Sequence, residues 1–292
     1  MSDLAKRWAV AAAGIPAVLV LLYLGGWALA TPVALLAALG SLECHRMAAQ
    51  GGVSALRWVG AGGAAGFVLA AAWRPTFDGF APAALGIVIA VTAVALVGAI
   101  AARGPEDKPL ASVAVTLFGS VYVGIPLAFA PLLHALPEAK AWVVTGAAWA
   151  GALAVALPLA ATWLGDALAL FVGTAWGSGG LAPSISPNKS WVGVWGGLSG
   201  AALASVVWYV IAGAQLPGLP VPSLLVAALI GIFLGVWAIV GDLAESLMKR
   251  DAGVKDSGTF FPGHGGVLDR LDALLFTLPA AYFTLVVLEV FP

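Results

Sequence analysis

Charged side chains are scarce in this chain: Asp, Glu, Lys and Arg make up 9% of its 292 residues, against 62% hydrophobic. A soluble globular domain carries roughly 25% charged residues, so the composition excludes one. Cysteine is scarcer still. Cys44 stands alone, which excludes an intramolecular disulfide and a thiolate metal cluster and leaves a buried spectator thiol. There is no basic excess either. With 13 basic and 14 acidic residues the net charge is −1, so no nucleic-acid partner is implied.

What the chain has in place of charge is a series of apolar runs, each about 20 residues long, enough to cross a hydrocarbon core of roughly 30 Å. Backbone exposed to lipid must be helical or a closed barrel, and continuous runs without ten-residue alternation select helices. The expected fold is an all-α, polytopic integral membrane protein. Nine spans are expected, near 8–24, 26–42, 55–73, 81–101, 110–133, 141–173, 191–213, 221–245 and 272–291. Gly25-Gly26 separates the first two, and Pro158 is a candidate break in the long sixth run. The basic prefix and Ala28-Leu29-Ala30 imitate a signal peptide, but the apolar run exceeds a signal core and further spans follow, so a retained first helix is expected. The chain divides into helices 1–5 (1–140) and helices 6–9 (141–292), the latter carrying the loops 174–190 and 246–271.

Lys and Arg accumulate in short cytoplasmic loops. With nine spans and the N-terminus inside, eleven bases fall inside (Lys6, Arg7, Arg46, Arg57, Arg103, Lys108, Lys189, Lys249, Arg250, Lys255 and Arg270) and two outside (Arg74 and Lys140). Splitting the sixth run leaves six against seven, so nine spans is the better count. Both loops then face the cytoplasm and can meet in one site open to soluble ligands.

The scarce charge is concentrated. From Asp242 to Asp272, 31 residues hold six acids, four bases and His264. Asp242, Ser246 and Lys249 share one helix face, and Glu245 with Lys249 forms an i,i+4 pair. That much would also suit a self-neutralised helix end. The segment KDSGTFFPGHGGVLDRLD then adds Lys255, Asp256, His264, Asp269, Arg270 and Asp272, interleaved with Gly258, Gly263, Gly265 and Gly266. Glycines permit positive φ and close backbone approach, and successive N–H groups in such turns make anion-binding concavities. Lys and Arg suit phosphate, and carboxylates suit a hard cation such as Mg²⁺. The mixture indicates a metal–polyphosphate site. His264 has two readings of equal weight, a phosphate or acid–base group and a hydrogen-bonding strut. A second polar island holds Asp166, an intramembrane acid and so a functional candidate, and SISPNKSW with Ser184, Ser186, Lys189 and Ser190, where Pro187 prevents helix continuation. Gly196 with Gly200, and Gly62 with Gly66, form GxxxG pairs suited to helix packing.

Ser246-Leu-Met-Lys249-Arg250, four residues, Lys255-Asp256-Ser-Gly258, then Phe261-Pro262-Gly-His264-Gly265-Gly266-Val-Leu-Asp269-Arg270-Leu-Asp272 resembles, over 27 positions without a gap, the signature of the phosphatidate cytidylyltransferases (CDP-diacylglycerol synthases). Asp166 to Trp191 resembles the family's second block, with Leu170 where an aromatic is frequent and Ser190 for the commoner Thr. The resemblance is firm over about 166–280 and only topological over the first half, Glu43 included.

The resemblance implies transfer of a cytidylyl group from CTP to phosphatidate with Mg²⁺, a second, monovalent cation such as K⁺, a homodimer among membrane lipids, and a bacterial cytoplasmic (inner) membrane location. On that basis Asp242 and Asp269, then Asp166 and Asp256, are the candidate metal ligands. Lys249, Arg250, Lys255, His264 and Arg270 are the candidate catalytic residues. Ser184, Ser186, Lys189, Ser246, Gly265 and Gly266 are the candidate substrate-binding residues. Other readings compete. A cytidylyltransferase for another lipid phosphate stays open. An ion-coupled transporter predicts repeats or broken helices, which the sequence lacks, and leaves the charged loop unexplained. A CDP-alcohol phosphotransferase needs an Asp-Gly-x-x-Ala-Arg block, which is absent. A noncatalytic scaffold fits the charge density least.

Overall fold

The structure is a computed structural model and describes residues 3–143, 149–260 and 265–290, with side chains from Gly14 onward. The helices are α1 (Asp3–Leu24), α2 (Gly26–Gln50), α3 (Arg57–Trp73), α4 (Phe77–Ala102), α5 (Pro109–Ala139) and α6 (Ala150–Trp176). A hairpin of β1 (Gly180–Ala182) and β2 (Ser186–Ser190) follows, then α7 (Trp191–Gln215), α8 (Leu224–Asp251), the short α9 (Leu268–Leu271) and α10 (Leu274–Val290).

Among the described residues, α2, α4, α5, α6, α7, α8 and the stretch Leu268–Val290 are long and apolar enough to cross a membrane. The all-α, polytopic architecture expected from the apolar runs is therefore present, with a two-stranded hairpin added. The expected runs 8–24 and 55–73 are also helical, α1 having 22 residues and α3 having 17. Gly25 and Gly26 carry φ of +58° and +48°, a left-handed corner that only glycine adopts without strain, and it separates α1 from α2. Ala28-Leu29-Ala30 lies inside α2. Pro158 sits inside α6 without ending it. Of the long sixth run, 141–143 are not helical, 144–148 lie outside the described residues, and α6 spans Ala150–Trp176.

The chain forms two compact units, one of Met1–Leu132 with Met248–Leu271, the other of Leu133–Leu247 with Asp272–Pro292. Most of the charged loop thus belongs with the N-terminal helices, where the sequence suggested the C-terminal set. The chain passes from the second unit to the first inside α8.

Small residues let the helices of each unit approach closely, as lipid-embedded packing requires. In the second unit, a Cβ on Gly196 would meet Val172 at 2.7 Å, and one on Gly200 would meet the Leu164 carbonyl at 2.6 Å. That GxxxG pair is an α6–α7 contact, as its spacing suggests. The other pair is not. Gly62 has open space where a Cβ would be, and Gly66 has only Ile87 at 3.8 Å. In α3 the tight positions are Gly60, pressed on His45, and Gly63, pressed on Ser120 and Val91. The tight positions are three residues apart, not four, and lie on a different face of α3 from the GxxxG pair. Cys44 is a free, buried thiol, as expected.

Candidate functional site

In the second unit, β2 and α7 are joined without a loop. Ser190 ends the strand and caps the helix, its Oγ accepting from the Gly193 N–H at 3.1 Å. A capping serine satisfies a backbone donor that the first turn otherwise leaves orphaned. Lys189, one residue earlier, is held between the hairpin ladder and this cap. Its Nζ lies 2.5 Å from Asp242 Oδ2. Ser246, one turn further along α8, donates to Asp242 Oδ1 at 3.3 Å.

A cavity of about 310 Å³ opens here, lined by Asp166, Asn188, Lys189, Ser190 and Asp242 among apolar side chains of α6, α7 and α8. The structure thus brings together Asp166, Lys189 and Asp242, with Ser246 behind Asp242. Ser184 and Ser186 do not line the cavity. Ser184 is exposed at the hairpin turn and Ser186 pairs with Ala182. Their places are taken by Asn188 and Ser190. Ser186, Asn188 and Ser190 are two residues apart and share a strand face, so position along the strand decides: Asn188, Lys189 and Ser190 lie at the end that enters α7, where the cavity opens.

In the first unit, α8 ends with Lys249 and Arg250 in its last turn, where cations suit the helix dipole. Gly253, at φ +69°, closes the helix, with the Val254 N–H donating to the Lys249 carbonyl at 2.9 Å. Lys249 Nζ reaches Asp269 Oδ1 at 2.6 Å. The other oxygen, Oδ2, accepts from the Ser257 N–H at 2.9 Å, the Ser257 hydroxyl at 2.9 Å and the Gly266 N–H at 2.8 Å. Gly265 has φ +80°, and a Cβ there would stand 2.7 Å from that same oxygen. Arg250, Lys255, Asp256 and Arg270 are exposed around this core. His264 lies outside the described residues.

Sequence reasoning missed the group at the centre of this arc. Glu43, late in α2, is 5% exposed. Its carboxylate accepts from the Val267 N–H at 3.0 Å, the Leu268 N–H at 2.8 Å and the Ser257 hydroxyl at 3.0 Å. Gly258 and Gly266 both press against it, so neither position has room for a side chain. Gly266 was expected to admit a ligand. In the structure its bare Cα admits Glu43 and Ser257. One signal was available: an acid inside a long apolar helix is a functional candidate by position alone.

Among the described residues, no three or more His, Cys, Asp or Glu side chains form a ready metal cage. Mg²⁺ does not need one, since it is held by one or two carboxylates and completes its shell with water and phosphate oxygens. Asp166, Asp242 and the Asn188 amide in one cavity fit that donor set. Asp269 is differently placed. Its Oδ2 accepts from three protein donors, where each Asp242 oxygen meets one, and a cation bound there would displace Lys249 from Oδ1.

The Cytidylyltransferase family model matches residues 5–288. A Synechocystis protein named phosphatidate cytidylyltransferase is 32% identical over 97% of this chain and 97% of its own. A Bacillus subtilis protein of that name is 44% identical over 42% of this chain and 44% of its own. One from Chlamydia pneumoniae is 36% identical over 60% of this chain and 54% of its own.

Proposed function

The chain belongs to the cytidylyltransferase family, and from that premise we propose that it transfers the cytidylyl group of CTP to phosphatidate, giving CDP-diacylglycerol and pyrophosphate. It is a membrane-embedded nucleotidyltransferase of phospholipid biosynthesis. The observation that carries this reading is the match, across nearly the full length of both chains, to a relative of that name.

The chemistry asks little of a nucleophile. A phosphatidate oxygen is already an anion when it attacks the α-phosphorus of CTP. A new P–O bond forms, the bond to the bridging α–β oxygen breaks, and pyrophosphate leaves with the electron pair. The obstacle is electrostatic. Each pair of unit charges 4 Å apart repels by roughly 4 kcal/mol at an effective dielectric of 20. Fixed cations and metals are the general remedy in phosphoryl-group chemistry.

In this reading Lys189 lowers the repulsion in the second unit's cavity, and Asp166 and Asp242 hold Mg²⁺ there. Bound Mg²⁺ supplies Lewis-acid neutralisation of phosphate charge. In the first unit, Lys249, Arg250, Lys255 and Arg270 bind phosphate oxygens, with the Gly265-Gly266 turn beside them. Asp269 keeps Lys249 in place, and Asp256 lies on the same loop. Ser246 orients Asp242. A second, monovalent cation such as K⁺ and a homodimer complete the reading, both from the family resemblance. The bias of Lys and Arg, eleven against two, supports a cytoplasmic N-terminus and cytoplasmic loops in a bacterial inner membrane.

Purified protein incubated with labelled CTP, phosphatidate and Mg²⁺ should release pyrophosphate and form CDP-diacylglycerol, and Asp242→Asn should form almost none. Folded wild-type protein that turns over a different lipid phosphate would redirect the assignment to that substrate. Wild-type protein inert with every lipid phosphate would overturn it.

A further inference from the structure

Glu43 is a carboxylate buried in an apolar helix, and burial of a charge is costly unless donors surround it. All three of its donors named above come from one segment, Ser257 to Leu268, which lies more than two hundred positions further along the chain. The segment is also shaped around it: Gly258 and Gly266 leave the space that the carboxylate fills. Glu43 is therefore the template on which this part of the loop is folded.

The same residues hold Asp269. The Ser257 hydroxyl stands 3.0 Å from Glu43 Oε2 and 2.9 Å from Asp269 Oδ2, and it accepts from the Asp269 N–H at 3.3 Å. A hydroxyl has one proton to give, so Ser257 serves one carboxylate at a time and couples the two. Gly266 donates to Asp269 while its neighbour Val267 donates to Glu43. Two of the links from Glu43, through Ser257 and through Val267 beside Gly266, thus reach Asp269, and Asp269 sets the position of Lys249.

We propose that Glu43 is a positioning residue for the transfer reaction, acting through Ser257 and Gly266 to aim the Asp269–Lys249 pair. This rests on the function proposed above. Glu43 touches neither substrate nor metal in this scheme. Its effect reaches the chemistry only through the loop.

The test uses the full-length enzyme in detergent or nanodiscs, with Glu43→Gln, Ser257→Ala and the double variant. Three quantities are read for each: kcat and KM for CTP, the unfolding midpoint, and amide hydrogen exchange in the segment 265–271. Glu43→Gln should lower kcat per folded molecule by about 10-fold or more while KM for CTP changes by less than about 3-fold. Exchange in 265–271 should accelerate. Ser257→Ala should lower kcat by itself yet add little in the Glu43→Gln background, because both act through one link. A brace without a positioning role would give losses that track the unfolded fraction, or that multiply in the double variant, and either result overturns the proposal. If the wild type forms CDP-diacylglycerol and Glu43→Gln matches it in kcat, the positioning role alone falls. If the folded wild type forms none, the function reading falls with it.

Discussion

Lys189 Nζ and Asp242 Oδ2 lie 2.5 Å apart, joining the end of the hairpin to α8 at the edge of a polar cavity. Both side chains retain solvent contact, at 24% and 39% exposure. Exposed ion pairs contribute roughly 0–1 kcal/mol to stability, so a pair kept here for stability alone would achieve little. Lys189→Met should leave the unfolding midpoint within a degree or two of wild type and lower CDP-diacylglycerol formation by about 100-fold or more, the range for losing a preorganised charge that stabilises a transition state. Lys189→Arg should recover part of the rate. Initial rates beside thermal unfolding in the same detergent decide it. A large stability loss with an intact rate would reverse the assignment.

The second ion pair behaves in the opposite way. Lys249 and Asp269 are 12% and 7% exposed, and Asp269 carries three further donors. Removing one partner of a buried pair leaves the other charge uncompensated, at about 3–5 kcal/mol. Asp269→Asn should therefore unfold at a clearly lower denaturant concentration, and Asp242→Asn should not. Equal midpoints for the two variants would show that the Asp269 cluster is not a stabilising element.

Mg²⁺ dependence separates the acids by location. Asp166 and Asp242 line the same cavity. Chelation should abolish activity and added Mg²⁺ should restore it. Asp166→Asn should raise the Mg²⁺ concentration at half-maximal rate by about 10- to 100-fold, the usual scale for a weakened metal site. An unchanged Mg²⁺ profile would remove Asp166 from the ligand set.

The parts of this molecule that were legible in the sequence are those whose causes are local. A run of twenty apolar residues is a helix wherever it lies, so the element order was readable. Asp166, Lys189 and Asp242 stood out because charge is rare in such a chain. Glu43 did not, although it was noticed, because its partners are 224 and 225 positions away and no spacing rule connects them. The hairpin escaped for a different reason. Pro, Ser and Asn in its second strand read as a loop, and only the strand paired with β1 and running straight into α7 shows that its far end, Asn188 to Ser190, reaches the cavity while Ser186 does not.

Helix phase was also invisible, and it yields the sharpest test of packing. The Gly62–Gly66 pair has the spacing of a contact motif, yet Gly62 faces open space and Gly63 is wedged against Ser120 and Val91. Both lie inside α3, so replacing either by Ala gains the same helix propensity, about 0.8–1.0 kcal/mol. Only position 63 has no room for the methyl, and overpacking typically costs about 1–3 kcal/mol. Gly62→Ala should raise the unfolding midpoint and leave CDP-diacylglycerol formation unchanged, and Gly63→Ala should lower the midpoint. If Gly62→Ala is the destabilising one, α3 is rotated from the orientation described, and the motif spacing was the better guide.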